Sequence, residues 1–349
     1  MLKKIVSIII LSLSIIAILY VISPIFVPKW TTAEDDNMTQ IVRGFYAERD
    51  NSLDVIFMGN SDMYNGMAPM QLWDEYGIAS YAYTSSGQRM WTAHYMFLDA
   101  LRSQKPKIIV FDVDEIQSTT NTTAACYRKA YDNMQMSPVK IRAIMHPCFK
   151  KSISKRISYF LPVTRFHSRI SSLTKDDFKY AYGYKIYENK GQVIKTHISE
   201  YRGGNSYMDN KNEKYEFPKN TKKYMDKIVK TCKEKNIELI LIEIPSANSW
   251  SYAKSQAIAK YASEKNLTFI DFNFLLDDIG LDWTHDTIDS GNHLNIWGAQ
   301  KVTKYMGRYL HENYNLPDRR KDKNYKDWFD ASKKYHKNIE NAMKNKNNI

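Results

Sequence analysis

The N-terminal part of the chain is an apolar run of 23 residues, from Ile5 to Val27, without a charged side chain. A run of this length spans a hydrocarbon core of about 30 Å when it is helical, because a helix satisfies its own backbone hydrogen bonds in lipid. Lys3 and Lys4 precede the run, which favours a cytoplasmic N-terminus and an exported remainder. The alternative is a cleaved signal peptide, but no clear small-residue cleavage site follows. We therefore expect residues 1–30 to be an uncleaved, single-pass anchor of the cell membrane with an extracytoplasmic domain behind it.

The chain is basic, with 50 lysines and arginines against 38 aspartates and glutamates and a formal net charge of +12. Such an excess favours an anionic neighbour: nucleic acid, anionic lipid or an acidic cell-surface polymer. No zinc-finger spacing, ribonucleoprotein motif or continuous basic helix favours nucleic acid, so we predict no nucleic-acid partner. The three cysteines are odd in number for an exported chain, which makes a fold built on disulfides unexpected.

Short apolar strands alternate with helical patterns in two stretches of the chain. The predicted strands lie at 53–58, 79–83, 108–113, 238–244 and 267–272. Strands that alternate with helices and end in Gly, Ser or Pro indicate a parallel, doubly wound sheet. The predicted fold class is therefore α/β, a flavodoxin-like, three-layer arrangement with helices on both faces of the sheet.

The same pattern divides the chain into regions. Residues 50–118 and 221–316 are predicted to form the α/β domain, and 119–220 a mostly helical insertion over the carboxyl edge of the sheet, where such folds bind ligands. Residues 317–349 form a basic tail with an amphipathic helical pattern. That helix could lie on a membrane or a partner, but we favour packing on its own domain. The apolar side of its helical projection, with Ser332 as the one polar member, consists of Tyr325, Trp328, Phe329, Tyr335, Ile339, Ala342 and Met343.

Two segments carry side chains suited to serine hydrolysis, which needs a hydroxyl, a histidine to take its proton, a carboxylate to orient that histidine, and oxyanion donors. Ser61 follows the first strand, in Gly59-Asn-Ser-Asp62, at the start of a predicted helix. The alternative is that Ser61 only caps that helix. His293 lies four residues after Asp289 in a glycine-containing loop, close enough to share a hydrogen bond. The alternative is a turn histidine satisfied by backbone groups.

These segments resemble the conserved blocks of the SGNH/GDSL hydrolase-like superfamily. Gly59-Asn-Ser-Asp62 is similar to the first block, and Asp289 with His293-Leu-Asn295 and Gly298-Ala299 is similar to the last. Gly87, in Ser85-Ser-Gly-Gln88, falls where the second block places its oxyanion glycine. The resemblance covers about residues 50–117 and 221–312.

The resemblance implies roles for individual residues. Ser61 would be the nucleophile, His293 the base and Asp289 the orienting acid. The backbone N–H groups of Ser61 and Gly87 would bind the oxyanion. Asn60 and Gln88 would lie beside the substrate, and no cofactor or metal would be needed.

Two departures from the pattern concern the oxyanion site and the acid. The third block of the superfamily supplies an oxyanion asparagine, whereas this chain reads Asp112-Val-Asp-Glu-Ile-Gln117. Gln117 or Asn121 could substitute, and neither is favoured. The acid usually precedes the histidine by three residues, where this chain has Ser290. Asp286 is therefore a second, weaker candidate beside Asp289.

Within the superfamily, the anchor, the second block and the stretch from Arg165 to Arg169 look most like the DltD-like and alginate-acetylation-type branch. That likeness implies a serine esterase or acyltransferase acting on acetyl or D-alanyl groups of a cell-surface glycan or teichoic-acid-like polymer. It also implies a multispanning membrane acyltransferase as partner. Arg165, His167 and Arg169 would bind an anionic substrate, unless they form a solvated basic face. A degenerate scaffold that holds the polymer for the partner enzyme is the alternative function.

Overall fold

The computed structural model describes residues 1–29, 38–114 and 123–346. Its helices and strands, in chain order, are α1 (Leu2–Phe26), α2 (Met38–Phe45), β1 (Val55–Met58), α3 (Ser61–Gly66), α4 (Pro69–Tyr76), β2 (Ser80–Ala82), α5 (Met90–Ala100), β3 (Ile108–Asp112), α6 (Ala124–Tyr131), α7 (Pro138–Met145), α8 (Ile153–Ile157), α9 (Val163–Phe166), α10 (Lys175–Lys179), α11 (Lys219–Glu234), β4 (Glu238–Glu243), α12 (Tyr252–Lys265), β5 (Thr268–Asp271), α13 (Leu276–Ile279), β6 (Thr287–Ile288), β7 (His293–Leu294), α14 (Ile296–Asn313) and α15 (Lys326–Lys346).

The centre of the domain is a parallel sheet of five strands in the order β2-β1-β3-β4-β5. Helices cover both faces, because alternate side chains of each strand enter different cores. Ile56 and Leu241 belong to the core on one face, and Phe57 and Ile242 to the core on the other. The protein therefore has the doubly wound α/β fold that the alternation of strands and helices predicted.

Strand ends differ from the sequence-based prediction by one or two residues, and the last helix of the sheet domain differs more. The sequence after Gly298-Ala299 predicts a helix over 301–310, whereas the observed helix runs from Ile296 to Asn313. It begins early because the Asn295 side-chain oxygen accepts hydrogen bonds from the N–H groups of Trp297 and Gly298, which caps the first turn. Before it stands a two-stranded hairpin, β6-β7, that the sequence patterns did not predict.

The insertion has two halves with different structure. Its first half contains helices α6 to α10, as expected. Its second half, 183–218, has no helix except a 3-10 turn at Ser206–Met208. There the backbone N–H of Val193 donates to the Tyr64 carbonyl at 2.9 Å, and that of Ile296 to the Lys195 carbonyl at 2.9 Å. This half therefore runs along the carboxyl edge of the sheet, past both segments that resemble the hydrolase blocks.

The tail helix α15 packs against the domain. Trp328 and Tyr335 are almost fully buried and belong to the core on the α5 face, and the Tyr335 hydroxyl donates to Gln192 at 2.7 Å. Phe329 is 43% exposed, so it lies at the margin of the apolar side rather than within it. The helix thus lies on its own domain, the arrangement that the sequence favoured.

Helix α1 is long enough and apolar enough to cross a membrane. It is the only such helix in the part of the chain that the structure describes. Most of its residues are exposed, and its buried residues are Ser23 and Phe26 near its C-terminal end.

Candidate active site

Ser61 is the first residue of α3, directly after the turn that leaves β1. The cap of this helix is Asn60, whose side-chain oxygen accepts a hydrogen bond from the Asp62 N–H at 2.9 Å. Gly59 makes the turn with φ near +154°, and a Cβ there would lie 2.7 Å from the Cβ of Asp112. The close approach of β1 and β3 therefore requires glycine. Since Asn60 caps the helix, capping does not account for Ser61.

His293 begins β7, after a tight turn that joins it to β6. Asp289, Ser290 and Gly291 all have positive φ, at 55°, 52° and 92°. This turn folds the Asp289 carboxylate back, so that its Oδ2 lies 2.9 Å from His293 Nδ1. The contact that the sequence suggested between these two residues is therefore present. Their catalytic roles stay a prediction.

The hairpin of His293 lies against the helix of Ser61. The carboxylate of Asp62, the residue after Ser61, has its Oδ1 3.9 Å from His293 Nε2. A carboxylate only accepts hydrogen bonds, so its bond to Nδ1 places the proton of a neutral imidazole on Nδ1. Nε2 is then unprotonated and faces the segment that carries Ser61. An imidazole in this tautomer has a lone pair on Nε2 that can accept a proton.

Tyr64 is a neighbour of Ser61 that the sequence did not single out. Burial raises the pKa of its phenol to about 12. Hydrogen bonds with the Ser86 and Ser61 side chains act in the opposite direction and lower the pKa, but burial has the larger effect. Ser61 is partly exposed. A phenol that keeps its proton at neutral pH can orient the Ser61 hydroxyl and limit its motion.

Asp286 has other partners than His293. Its side chain is fully buried and accepts hydrogen bonds from Lys301 Nζ at 2.5 Å and from the Asp282 N–H at 2.8 Å. Its Oδ1 lies 3.0 Å from His285 Nδ1. Asp286 therefore holds the loop before the hairpin, and the geometry favours Asp289 as the acid.

The predicted oxyanion side of the site lies after β2. Gly87 has φ of +56°, a left-handed conformation that suits glycine. Gln88 is 1% exposed, and its amide nitrogen donates to Ser85 Oγ at 3.1 Å, so its side chain is turned into the protein. Gln117 and Asn121, the possible substitutes for the missing asparagine, lie outside the described residues.

Acidic side chains collect at the carboxyl ends of β3, β4 and β5, which the sequence-based reasoning missed. Asp112, Glu243 and Asp271 end these strands and are buried. Burial, and then the carboxylates of Asp112 and Asp114, hold the pKa of Glu243 well above its ordinary value. Burial likewise raises the pKa of Asp114, whose Oδ2 accepts a hydrogen bond from Asn60 at 2.8 Å. The signal in the sequence was an acid at or just after the end of each of these strands.

Arg165, His167 and Arg169 do not join the site around His293. Arg165 bonds to Asp132 at 2.6 Å, and Arg169 bonds to Asp177 at 3.0 Å within the insertion. These contacts are structural, so their proposed binding of substrate gains no support from the geometry. Among the residues that the structure describes, no group of three or more His, Cys, Asp or Glu side chains could hold a metal ion.

No family model matches the chain, and no curated protein matches its sequence. Among solved structures, the chain is similar to a protein from Bacteroides fragilis NCTC 9343 that is named a "putative acylhydrolase". The two share 10% identity with a TM-score of 0.37, over 81% of this chain and 99% of the other. A likeness this low says nothing about activity. The fold class therefore rests on the topology of the sheet, and the function has to be argued from the site.

Proposed function

We propose that the chain is a membrane-anchored, extracytoplasmic serine esterase or acyltransferase that works through an acyl-enzyme on Ser61. The observation that carries the proposal is the contact of Asp289 Oδ2 with His293 Nδ1 at 2.9 Å, with Nε2 facing the Ser61 segment. An orienting acid, a base with a free nitrogen and a hydroxyl at a strand end are the parts that serine hydrolysis requires.

The chemistry follows from these positions. Ser61 Oγ attacks the carbonyl carbon of an ester while His293 Nε2 takes the hydroxyl proton. The same proton then passes to the leaving alcohol, and the acyl group stays on Ser61. Water, or a hydroxyl of an acceptor, attacks this acyl-enzyme and gives its proton to Nε2. The bond between the acyl carbon and Ser61 Oγ then breaks, and Nε2 returns the proton to Ser61 Oγ. Asp289 stabilises the imidazolium that forms in each step.

The backbone N–H groups of Ser61 and Gly87 are proposed to bind the oxyanion of the tetrahedral intermediates. The third donor of the family pattern has no counterpart among the described residues of this site.

The substrate class rests on the resemblance of the sequence to the DltD-like and alginate-acetylation-type branch. We propose acetyl or D-alanyl esters of a cell-surface glycan or teichoic-acid-like polymer as substrates. A multispanning membrane acyltransferase is proposed as partner.

A fluorophosphonate probe with a fluorescent tag tests the nucleophile. The full-length protein should be labelled, and Ser61→Ala should lose the label together with hydrolysis of small acetyl and aminoacyl esters. Losing a triad member lowers the rate by several powers of ten. Ser137→Ala is the matched control, because Ser137 caps α7 in the insertion and should leave labelling unchanged. Labelling of Ser61→Ala at the wild-type level would refute the assignment.

The degenerate scaffold remains the second candidate, because Asp62 and Asp114 surround the histidine with acids where the family pattern has an amide donor. In that case wild-type protein stays unlabelled and still binds an anionic cell-surface polymer.

A further inference from the structure

The outer end of α1 is built into the domain. The backbone N–H of Val163 donates to Ser23 Oγ at 3.3 Å, and Arg169 donates to the Phe26 carbonyl at 2.7 Å. Lys29, just after the helix, is 8% exposed. The insertion therefore holds the end of the helix directly.

The length of α1 sets the level of this contact relative to a bilayer. Its 25 residues make about 37 Å at about 1.5 Å each, against a hydrocarbon core of about 30 Å. Counted outward from Ile5, about 20 residues fill that core, which ends near Pro24. The Tyr182 hydroxyl donates to the Val21 carbonyl, so in a bilayer spanned by α1 this part of the insertion would lie at the interface.

A cavity of about 150 Å³ lies at the same level, between α1 and the insertion. It has room for about five water molecules at about 30 Å³ each, which suits a headgroup-sized ion rather than a larger ligand. Its wall includes Tyr20, Ser23 and Pro24 from α1, and Arg43, Lys140 and Tyr184 from the domain.

Two cations in this wall are almost fully buried. Arg43 is 6% exposed and Lys140 is 4% exposed. Burial lowers the pKa of Lys140 to about 8, although the carboxylates of Asp132 and Asp99 raise it. The Arg43 Nε has no hydrogen-bond partner among the described residues. The Arg43 Nη2 donates to the carbonyls of Tyr180 and Gly183. A buried donor without a partner costs about 1–3 kcal/mol, so an acceptor for the Nε of this cavity-lining residue would be favourable.

More positive charge surrounds the cavity than the nearby acids balance. Lys29 and Arg169 share Asp177, at 3.7 and 3.0 Å, and Arg165 pairs with Asp132 at 2.6 Å. Burial, and then Arg43, lower the pKa of Lys29 to about 7. With Arg43 and Lys140 these are five cations, and the carboxylates near them are Asp177, Asp132 and Asp99. An anion in the cavity would offset this excess.

The surface beside the cavity is apolar and exposed. Ile170 is 71% exposed and Phe178 is 59% exposed, on a 3-10 turn and on α10, and both of these elements contact α1. Side chains of this kind next to a membrane-spanning helix are suited to the boundary between headgroups and acyl chains. Residues 150–185 also hold nine lysines and arginines against two aspartates, which complements an anionic lipid surface.

We propose that this cavity binds the anionic headgroup of a phospholipid from the membrane leaflet on the domain side. The phosphate would accept from Arg43 and Lys140, and the acyl chains would run along the exposed face of α1 toward the bilayer centre. The inference rests on the membrane anchoring in the proposed function but not on catalysis. It predicts that the enzyme sits on the membrane in one orientation.

Thermal unfolding of the full-length protein in a neutral detergent tests this. Dihexanoyl phosphatidylglycerol should raise Tm in a saturable manner, because a ligand that binds only the folded state stabilises it. Dihexanoyl phosphatidylcholine should raise Tm much less, and so should inorganic phosphate at the same concentration. A shift of equal size with inorganic phosphate would mean a free-anion site and would overturn the lipid assignment.

Two lysine variants test whether phosphatidylglycerol raises Tm by binding in the cavity. Lys140→Met keeps the length of the side chain and removes its charge, and it should lose most of the Tm shift caused by phosphatidylglycerol. Lys179→Met, on α10, removes an exposed charge and should keep the shift. Equal shifts in both variants would place the lipid elsewhere and refute the cavity.

The wild-type protein alone can also decide the matter if Lys140→Met does not fold. Native mass spectrometry from detergent with an equimolar mixture of the two lipids should then show one retained phosphatidylglycerol per chain. Retention of both lipids in proportion to their supply would contradict the proposal. None of these readouts uses ester hydrolysis, so a failed lipid site and a failed catalytic assignment remain distinguishable.

Discussion

The turn that carries Asp289 stores backbone strain at the site where a side chain has to reach His293. Asp289 and Ser290 both have a left-handed φ, which costs about 1–3 kcal/mol for each residue with a side chain. Neighbouring loops hold this turn in place. The Ala247 N–H donates to the Gly291 carbonyl at 2.8 Å, and Ser246 Oγ donates to the Asn292 carbonyl at 2.9 Å. The loop after β4 therefore fixes the geometry of the histidine.

Asp289→Asn should lower activity with little effect on stability, whereas Asp286→Asn should mainly lower stability. Asp289 contacts His293, so Asp289→Asn should lower the rate of ester hydrolysis by several powers of ten. Its side chain is 60% exposed, so the same change should leave Tm almost unchanged. Asp286 is fully buried and paired with Lys301, so its change should lower stability by about 3–5 kcal/mol. Steady-state rates and chemical denaturation measure the two effects.

Activity that falls equally in the two variants after correction for the folded fraction would contradict the assignment of Asp289. So would a pH–rate profile of Asp289→Asn identical to that of the wild type. The acid acts by keeping the proton on Nδ1, so its loss must change the protonation state from which the reaction starts.

The buried carboxyl of Glu243 should make the stability of the protein depend on pH. Its pKa in the folded state is raised by burial, while in the unfolded state it ionises with a pKa of about 4.3. The unfolded state therefore releases this proton first, and stability falls as pH rises above about 4.3. Glu243→Gln removes this penalty, which is about 1.4 kcal/mol for each unit of the pKa difference.

The Tm of Glu243→Gln relative to the wild type should thus increase between pH 4 and pH 7. Glu312→Gln, at an exposed position on α14, is the control and should show no such gain. A difference for Glu243→Gln that stays constant with pH would show that the carboxyl is ionised in the folded protein.

At the scale of elements, α15 completes the core on one face of the sheet. Trp328 lies 5.0 Å from Trp73 of α4, measured between ring centroids, and the Lys190 ammonium lies 4.2 Å from the Trp328 ring. Lys190 is fully buried and bonds to Glu48 at 2.7 Å. The tail helix therefore covers a buried ion pair as well as apolar surface.

Trp328→Ala should destabilise the protein by about 3–5 kcal/mol, because it leaves a cavity and removes the ring from Lys190. Phe329→Ala is a matched control, since the neighbouring ring is 43% exposed and its loss should cost far less. Denaturant unfolding monitored by circular dichroism measures both. Equal destabilisation by the two changes would mean that the helix does not pack through Trp328.

At the scale of the whole molecule, the proposed membrane anchor and the insertion bear on where the site would act. Lys3 and Lys4 flank one end of α1, and the domain is attached directly at the other end. In the proposed topology, the chain would reach the bilayer through α1 and the helices of the insertion that contact it. Substrates are then expected to be close to the membrane surface rather than far out in the cell wall.

Protease added to intact cells with a permeable wall should digest the domain and leave a cytoplasmic marker protein intact. The positive charges before α1 predict this orientation. Digestion of the domain only after the membrane has been disrupted would place it in the cytoplasm. The proposed class of cell-surface substrates would then be wrong.

The sequence by itself determined the features that depend on neighbouring residues. Helical and strand periodicity is local, so the sequence showed the apolar run of α1 and the alternation of strands and helices. The segments around Ser61 and His293 could be recognised because each consists of neighbouring residues. The four-residue spacing of Asp289 and His293 also suggested their contact. The hairpin β6-β7 was missed, since its two-residue strands are too short to show a period.

Only the tertiary structure decided which distant residues meet. The packing of β7 against α3 brings His293 to the segment that carries Ser61. The order of the strands gathers Asp112, Glu243 and Asp271 at one edge, and pairing across a sheet leaves no local pattern in the chain. The structure also places Arg165 and Arg169 in the insertion, in contact with its own acids and the end of α1, rather than at the site. A charged side chain in a sequence shows its chemistry, but its partner depends on how the chain folds.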